Sequence, residues 1–124
     1  MSKAEKNDRR DNKPMLRYME VDFLYRVCDA MEAGALKYSA DNYLLGHEDK
    51  ALLEAMLRHI WAVLSGEDID EDTTKRLGRP VHHLACAAAN INMYFAQLKA
   101  GTLIETERRP LDRLEKVRNE KGLK

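Results

Sequence analysis

A group of acidic residues in the middle of the chain has the composition of a cation site. Five carboxylates occur within six positions after Gly66, namely Glu67, Asp68, Asp70, Glu71 and Asp72. They follow a segment predicted to be helical, so they would add negative charge to the negative end of its dipole. Folding alone does not require that arrangement, whereas a divalent cation such as Mg²⁺ or Mn²⁺ would neutralise it through oxygen ligands. A solvated polar turn is the alternative interpretation.

An arginine–histidine pair precedes the acidic group. His59 lies at the edge of an apolar stripe, where it is either a packed, hydrogen-bonded residue or a functional imidazole. Arg58 lies about 100° away around the same predicted helix. It could pair with Glu54 four positions earlier, or its forked guanidinium could hold a phosphate.

Polar residues also share one face of the alanine-rich segment that follows the acidic group. His83, Cys86 and Asn90 are separated by three and four positions, which places them on one side of a helix. Close helix packing explains the neighbouring alanines, but it does not explain a histidine and an asparagine in the same line. We expect this face to contribute to a site, and we expect His82 to be exposed.

A lysine, two tyrosines and an asparagine occur together near the end of the first apolar segment. Lys37 and Tyr38 end its pattern, and Asn42 and Tyr43 follow within five positions. These side chains could neutralise a phosphate and stack on a nucleotide base. Alternatively, the lysine favours a helix C-terminus and the tyrosines cover the edge of the core.

Helices must position these groups, because apolar residues recur at steps of three and four along most of the chain. The pattern predicts three main helices, at about 18–38, 50–65 and 81–99. Gly66 and Gly101 are placed to end the second and third, and 39–49 is a predicted loop. In the third helix, the residues expected to face inward are Leu84, Ala88, Ile91, Phe95 and Leu98.

The fold class that follows is all-α, a compact bundle of three main helices with a short charged C-terminal helix. We divide the chain into a flexible tail at 1–13, a helical domain at 14–104 and the charged helix at 105–124. The second helix has an additional apolar flank, so we expect oligomerisation to complete the core. That flank consists of Leu52, Met56 and Val63, beside the main stripe of Leu53, Leu57, Ile60 and Leu64.

Composition limits the classes of function. The 124 residues suffice for one domain, and 21 basic residues balance 21 acidic ones, which disfavours a general nucleic-acid binder. No apolar run approaches the roughly 20 residues of a membrane span, and the polar N-terminus is not a secretory signal. Cys28 and Cys86 lie within apolar patterns, so we expect both to be buried and reduced in a cytoplasmic protein.

The order of these motifs resembles the phage dATP/dGTP diphosphohydrolase family of the MazZ type. That family is similar to the MazG-like, all-α nucleoside triphosphate pyrophosphohydrolases. The resemblance covers about residues 13 to 98, and Cys86 stands where the family commonly has a second histidine. The motifs, with x for any residue, are Lys13-Pro14, Gly34-Ala35-x-Lys37-Tyr38, Asn42-Tyr43, Ala55-x-x-Arg58-His59, Gly66-Glu67-Asp68-Ile69-Asp70 and His83-Leu84-Ala85-x-Ala87-x-x-Asn90.

The resemblance implies hydrolysis of purine deoxynucleoside triphosphates, dGTP or dATP, to the monophosphate and pyrophosphate in phage nucleotide metabolism. It implies two or three Mg²⁺ or Mn²⁺ ions and a homodimer or homotetramer. From charge balance and the lack of a long apolar run we expect no nucleic acid and no membrane as partner. The metal ligands that it implies are Glu67, Asp70, Glu54 and His83. The implied catalytic residues are Glu67, Asp70 and His59, one of which orients the attacking water, and the implied substrate-binding residues are Lys37, Tyr38, Asn42, Arg58 and Asn90.

Two other classes of function compete with this hypothesis. A non-catalytic helical interaction protein would need neither the acidic group nor the His83 face. A DNA-binding accessory protein would use the basic residues of the N-terminal tail, but the overall charge balance disfavours it.

Overall fold

The computed structural model describes residues 15–107 and 120–122, and the regular secondary structure of the described residues is helical. The four α-helices are α1 at Val21–Lys37, α2 at Asp49–Leu64, α3 at Glu71–Leu77 and α4 at His83–Ala100. Short 3-10 turns occur at Leu16–Tyr18 and Asn42–Leu44. The described residues contain two isolated bridges, Glu48 with Ile104 and Ile69 with His82, and no extended strand. The predicted all-α class is confirmed.

Helix ends follow local sequence chemistry. The side chain of Glu20 caps α1 by accepting a hydrogen bond from the Asp22 amide. Gly101 ends α4 with φ of 76°, and Gly66 follows the end of α2 with φ of 93°. Both glycines adopt the left-handed conformation that only a residue without a side chain takes readily, so both predicted helix ends are confirmed.

The acidic group is only partly a loop, which corrects the sequence interpretation. Asp70 caps α3, and its carboxylate accepts hydrogen bonds from the Thr73 amide at 3.4 Å and the Thr73 hydroxyl at 2.8 Å. Glu71 and Asp72 lie in the first turn of α3, where the positive end of the helix dipole stabilises acidic side chains. Folding therefore does use three of the five carboxylates, because a helix starts among them.

The core is built from small side chains on α4. Ala85, Cys86 and Ala89 of α4 are buried against Ala30 of α1 and against Val81, which precedes α4. Small residues let helix backbones approach closely, and α1 and α2 both pack against α4, along what we call the seam. That seam brings polar side chains from different helices within hydrogen-bonding distance of one another.

The apolar stripe expected to face inward on α4 faces outward instead. Leu84, Ile91, Phe95 and Leu98 are each more than two-fifths exposed, and Phe95 reaches 61%. The sequence interpretation was wrong because it gave weight to large apolar residues, whereas close packing selects the alanine face. On α2 the two apolar faces are also exchanged. Leu52, from the flank that was expected to contact a partner, is buried in the core, whereas Leu57, Trp61 and Leu64 are exposed. The predicted homodimer or homotetramer, which would cover such side chains, stays a prediction.

A buried glutamine fastens the connection between α1 and α2 to α4. Gln97 is fully buried. Its Oε1 accepts from the His47 amide at 2.9 Å, and its Nε2 donates to the Tyr43 carbonyl at 2.9 Å and to His47 Nδ1 at 2.8 Å. The 39–47 connection is therefore held by side-chain hydrogen bonds in addition to the packing of its 3-10 turn on α4.

The segment after α4 returns to the start of α2. Asp49 is buried, and its Oδ1 accepts from the backbone amide and the hydroxyl of Thr106. A Cβ atom at Gly46 would lie 2.5 Å from the Thr102 carbonyl oxygen, so the return path requires glycine there. Most of the C-terminal helix predicted at 105–124, like the tail at 1–13, lies outside the described residues.

The sequence also predicted two buried cysteines and no segment apolar enough to span a membrane. Cys86 is buried as expected, but Cys28 is exposed on α1, so that half of the prediction was wrong. Neither is in a disulfide. Within the described ranges, no helix combines the length and apolar character that crossing a bilayer requires.

Replacing Gln97 with methionine is expected to lower the free energy of unfolding by about 1–3 kcal/mol, because partly buried backbone groups of Tyr43 and His47 lose their partners. Urea denaturation measures the change. The exposed Asn92 on the same helix supplies the control, since Asn92→Met is expected to change stability by less than about 0.5 kcal/mol. Equal stability of the two variants would contradict the assigned role of Gln97.

Candidate active site

Four polar side chains meet where the end of α2, the cap of α3 and the start of α4 come together. His59 Nδ1 lies 2.8 Å from His83 Nδ1, and His83 Nε2 lies 3.1 Å from Glu67 Oε1. Asp70 Oδ2 lies 3.8 Å from His59 Nδ1 and 4.0 Å from His83 Nδ1. We call these four residues the polar cluster.

Backbone pairing places the acidic segment beside the start of α4. The Asp70 amide donates to the Val81 carbonyl at 2.9 Å, and the His83 amide donates to the Asp68 carbonyl at 2.7 Å. The positions of Glu67 and Asp70 relative to His83 are therefore fixed by two main-chain hydrogen bonds. His82, expected to be exposed, is partly buried and caps α4 by accepting from the Leu84 amide at 2.9 Å.

If both imidazoles are neutral, one assignment of tautomers satisfies both hydrogen bonds of the polar cluster. An ionised Glu67 carboxylate accepts only, so His83 must donate from Nε2. The lone pair of His83 then lies on Nδ1 and points to His59 Nδ1, which must carry the proton of that contact. One proton thus bridges two imidazoles beside the Asp70 carboxylate.

Burial and neighbouring charges perturb the groups of the cluster. Burial lowers the pKa of His59, the Asp70 charge opposes that effect, and positive charge on His83 when protonated and on Arg58 adds to it. Burial by itself would raise the pKa of Asp70, but the hydrogen bonds from Thr73 and the nearby histidines outweigh it, so the net shift is downward. The cluster therefore favours a neutral His59 beside an ionised Asp70.

A thiol adjoins the cluster. Cys86 Sγ lies 3.8 Å from Asp70 Oδ2. Burial, reinforced by the Asp70 charge, raises the pKa of Cys86 to about 11, so the thiol is protonated at neutral pH. Donor atoms of His59, Asp70 and Cys86 all lie within 4.8 Å of one another, a group compact enough to hold a metal ion.

A cavity of about 260 Å³ opens next to the cluster, between α1, α2, α4 and the 39–47 connection. On α2, Ala55 of the cavity wall is one helical turn from His59 of the polar cluster. On α4, Asn90 of the wall is one turn from Cys86, which adjoins the cluster. The cavity wall and the cluster are therefore about 6 Å apart along each helix. The Asn90 side-chain amide donates to the Cys86 carbonyl at 2.9 Å. The other polar or aromatic residues on the wall are Tyr38, Ser39, Asn42, Tyr43 and His47.

His47 is a candidate that sequence reasoning missed. Gln97 has a fixed orientation because its oxygen accepts from one backbone amide and its nitrogen donates to a backbone carbonyl. The same nitrogen donates to His47 Nδ1, so the neutral His47 ring carries its proton on Nε2 and can donate from there. His47 lies in a connection without helical periodicity, so its sequence neighbourhood gave no indication of this role.

The structure brings most of the candidate residues into two adjacent places. Glu67, Asp70, His59 and His83 form the polar cluster, and Tyr38, Asn42 and Asn90 line the cavity. The remaining three candidates, Lys37, Glu54 and Arg58, are exposed and lie outside both groups. The structure holds the Lys37 ammonium 5.2 Å from the centre of the Tyr38 ring, at the cavity wall.

Comparison with known proteins gives one match. A family model described as dATP/dGTP diphosphohydrolase, N-terminal, matches residues 3–107. The matched range contains all four helices, the polar cluster and the cavity wall. No curated protein and no solved structure matches the chain.

Acidification is expected to destabilise the fold through His59. Its pKa in the folded chain lies below the ordinary value of 6.5, so as the pH falls through that value the unfolded chain binds the proton first. The free energy of unfolding therefore decreases as the pH falls from about 7 to about 5. Urea denaturation across this range measures the slope, and His59→Gln is expected to flatten it. Identical slopes for the two proteins would contradict the inferred pKa shift.

Proposed function

This chain belongs to the dATP/dGTP diphosphohydrolase family, and we propose that it hydrolyses purine deoxynucleoside triphosphates to the monophosphate and pyrophosphate. The observation that supports this function best is the cavity one helical turn from a cluster of two histidines and two carboxylates. A nucleoside in the cavity would extend its phosphates toward groups that can bind a cation and move a proton.

The cavity wall suits a nucleoside. The rings of Tyr38 and Tyr43 can stack on a base, which requires an aromatic face and little else. His47 Nε2 supplies a hydrogen-bond donor, and the Asn90 carbonyl oxygen supplies an acceptor because its amide nitrogen is bonded to Cys86. A donor and an acceptor together could recognise the ring nitrogens and amino groups of a purine.

Two cations flank this arrangement. Arg58 precedes His59 and is close enough for its charge to lower the pKa of that histidine. Lys37 lies beside Tyr38 at the cavity wall. We assign both to the triphosphate, since exposed, flexible cations can close on an anion whose negative charge grows at the leaving pyrophosphate.

The chemistry of the cluster fits a divalent cation. Asp70 would hold it with a ring nitrogen of His59 or His83. Glu67 is hydrogen-bonded to His83, and the exposed Glu54 lies outside this group. The bound cation, Mg²⁺ or Mn²⁺ in the family expectation, supplies neutralisation of phosphate charge and activation of water. Glu67 is 61% exposed and holds His83 through Oε1, which leaves Oε2 as the atom that takes the proton from the attacking water.

The proposed reaction has defined products and is expected to depend on the Asp70 carboxylate. With dGTP or dATP and Mn²⁺, the wild-type chain is expected to release a nucleoside monophosphate and intact pyrophosphate, identified by phosphorus NMR. Asp70→Asn is expected to lower kcat/KM by about 100-fold or more, because it removes the charge that holds the cation. Asparagine also caps helices, so the fold is expected to be retained.

Asp72→Asn is the matched control, because Asp72 lies in the first turn of α3 outside the cluster. It is expected to keep near wild-type turnover. Orthophosphate or tripolyphosphate as the first product would contradict the proposed bond cleavage. No turnover of any purine triphosphate would instead favour the non-catalytic interaction protein.

Substitutions at Gly34 test whether the cavity holds the nucleoside. Gly34 lies on its wall, and a Cβ atom there would meet no other atom within 4 Å. Gly34→Leu is expected to raise KM by about 10-fold by occupying nucleoside space, while Gly34→Ala is expected to leave KM near wild type and to stabilise α1 by about 0.5–1 kcal/mol. Steady-state kinetics and thermal melting measure both. Equal KM for the two variants would place the nucleoside elsewhere.

A further inference from the structure

We propose that His47 selects purine bases by donating a hydrogen bond from Nε2 to the purine atom N7, and that Gln97 is the positioning residue that makes it a donor. The inference rests on the proposed function, because it names the base atom that the same cavity recognises. It goes beyond that function in assigning purine selectivity to one side chain, which none of the sequence motifs includes.

Gln97 leaves His47 one nitrogen on which to carry its proton. Gln97 is fully buried, and its three hydrogen bonds to the 39–47 connection measure 2.8–2.9 Å. Its oxygen accepts from the His47 amide and its nitrogen donates to the Tyr43 carbonyl, so only an N–H group can face His47 Nδ1. A proton on Nδ1 would bring two donors together without an acceptor. The contact therefore selects the neutral ring with its proton on Nε2.

The donor atom of His47 is accessible. His47 lies on the cavity wall, and its Nδ1 edge is turned toward the buried Gln97. Within the described residues, Nε2 makes no hydrogen bond, and no buried polar side-chain atom lacks a partner. Nε2 is therefore not enclosed by the protein, and a molecule bound in the cavity can accept from it.

The position of His47 fits the base rather than the phosphates. About 21 Å of helix separates Gln97 from His83 on α4, so His47 and the polar cluster lie at opposite ends of the seam. That span is comparable to the length of an extended nucleoside triphosphate. With the phosphates at the cluster, the base lies toward His47 and toward the ring of Tyr43, whose carbonyl is bonded to the same glutamine.

A single donor that serves both purines must meet an atom that both purines share. At position 6 adenine has an amino group and guanine an oxygen, so a donor facing that position suits guanine alone. N7 accepts in both bases, whereas a pyrimidine has carbon atoms along the corresponding edge. The other shared acceptor, N3, adjoins the bond to the sugar and is crowded by it. A neutral N–H donor facing N7 thus admits both purines and disfavours pyrimidines.

The test compares base analogues on the wild-type chain with Mn²⁺. 7-deaza-dGTP and 7-deaza-dATP carry a C–H group in place of N7. Each is expected to have a kcat/KM about 10-fold or more below that of its natural counterpart, because His47 loses its acceptor. 3-deaza-dATP is expected to react like dATP. Equal kcat/KM for the natural and 7-deaza nucleotides would overturn the proposal, as would a loss confined to the 3-deaza analogue.

Variants determine whether this discrimination comes from His47. His47→Phe keeps a ring without a donor and is expected to bring the ratio of natural to 7-deaza kcat/KM down to about 1. His47→Gln keeps a donor at similar reach and is expected to retain part of the ratio. Asp41→Asn, at an exposed position of the same connection, is the control and is expected to keep the wild-type ratio. A lower folded fraction reduces turnover of both nucleotides equally, so a wild-type ratio in His47→Phe would overturn the role of His47.

Nuclear magnetic resonance tests the role of Gln97 without any substrate. Nitrogen-15 correlation spectra of the wild-type chain are expected to show the proton of His47 on Nε2 and the lone pair on Nδ1. A proton on Nδ1 would overturn the positioning role of Gln97.

The base contact and the proposed function can fail separately. Hydrolysis of natural and 7-deaza nucleotides with equal kcat/KM overturns the contact and leaves the function standing. If no triphosphate is hydrolysed, the function is overturned, and calorimetry with dGTP and 7-deaza-dGTP decides the contact. Binding of dGTP about 10-fold tighter than of its analogue then supports the contact, and equal affinity or no binding overturns it.

Discussion

The close approach of α4 to α1 and α2 is the constraint on which the other features depend. On the α1 side it is possible because α4 presents Ala85 and Ala89 to Ala30, where larger side chains would hold the two helices apart. At that spacing His59 of α2 reaches His83 of α4, and a cavity forms one turn away where the small side chains do not fill the space. The cluster and the cavity are thus two consequences of a single packing choice.

Polar anchors at the two ends of the seam keep that approach in register. At one end Gln97 ties the 39–47 connection to α4, and at the other end main-chain bonds tie the acidic segment to the start of α4. Since α2 and α4 run antiparallel, the pair His47–Gln97 lies at the end of the seam opposite to the pair His59–His83. The cavity lies between these anchors, so its wall is built on fixed elements rather than on an unsupported loop.

Electrostatics give the cluster its chemical character. Ionisable groups removed from water cost free energy unless they are paired, and here the cost is limited because one histidine stays neutral and Asp70 is bonded to Thr73. The polar groups that α3 needs for its cap are the same groups that face the two imidazoles. A folding requirement and a proposed binding site therefore share Asp70, which explains why acidic residues accumulate at this point.

The sequence by itself determined the all-α class, the three long helices and the two glycine helix ends, because periodicity and capping are local properties. It also pointed to His59 and His83, as histidines beside apolar positions, and to Glu67 and Asp70, as members of an acidic group, and the structure brings these four side chains together. It did not identify α3, whose seven residues are too few for a periodic pattern, and it chose the wrong face of α4. Only the tertiary structure decided which helix faces meet, because packing selects shape as well as hydrophobicity. The role of His47 likewise depends on Gln97, fifty residues away, a contact that no local pattern contains.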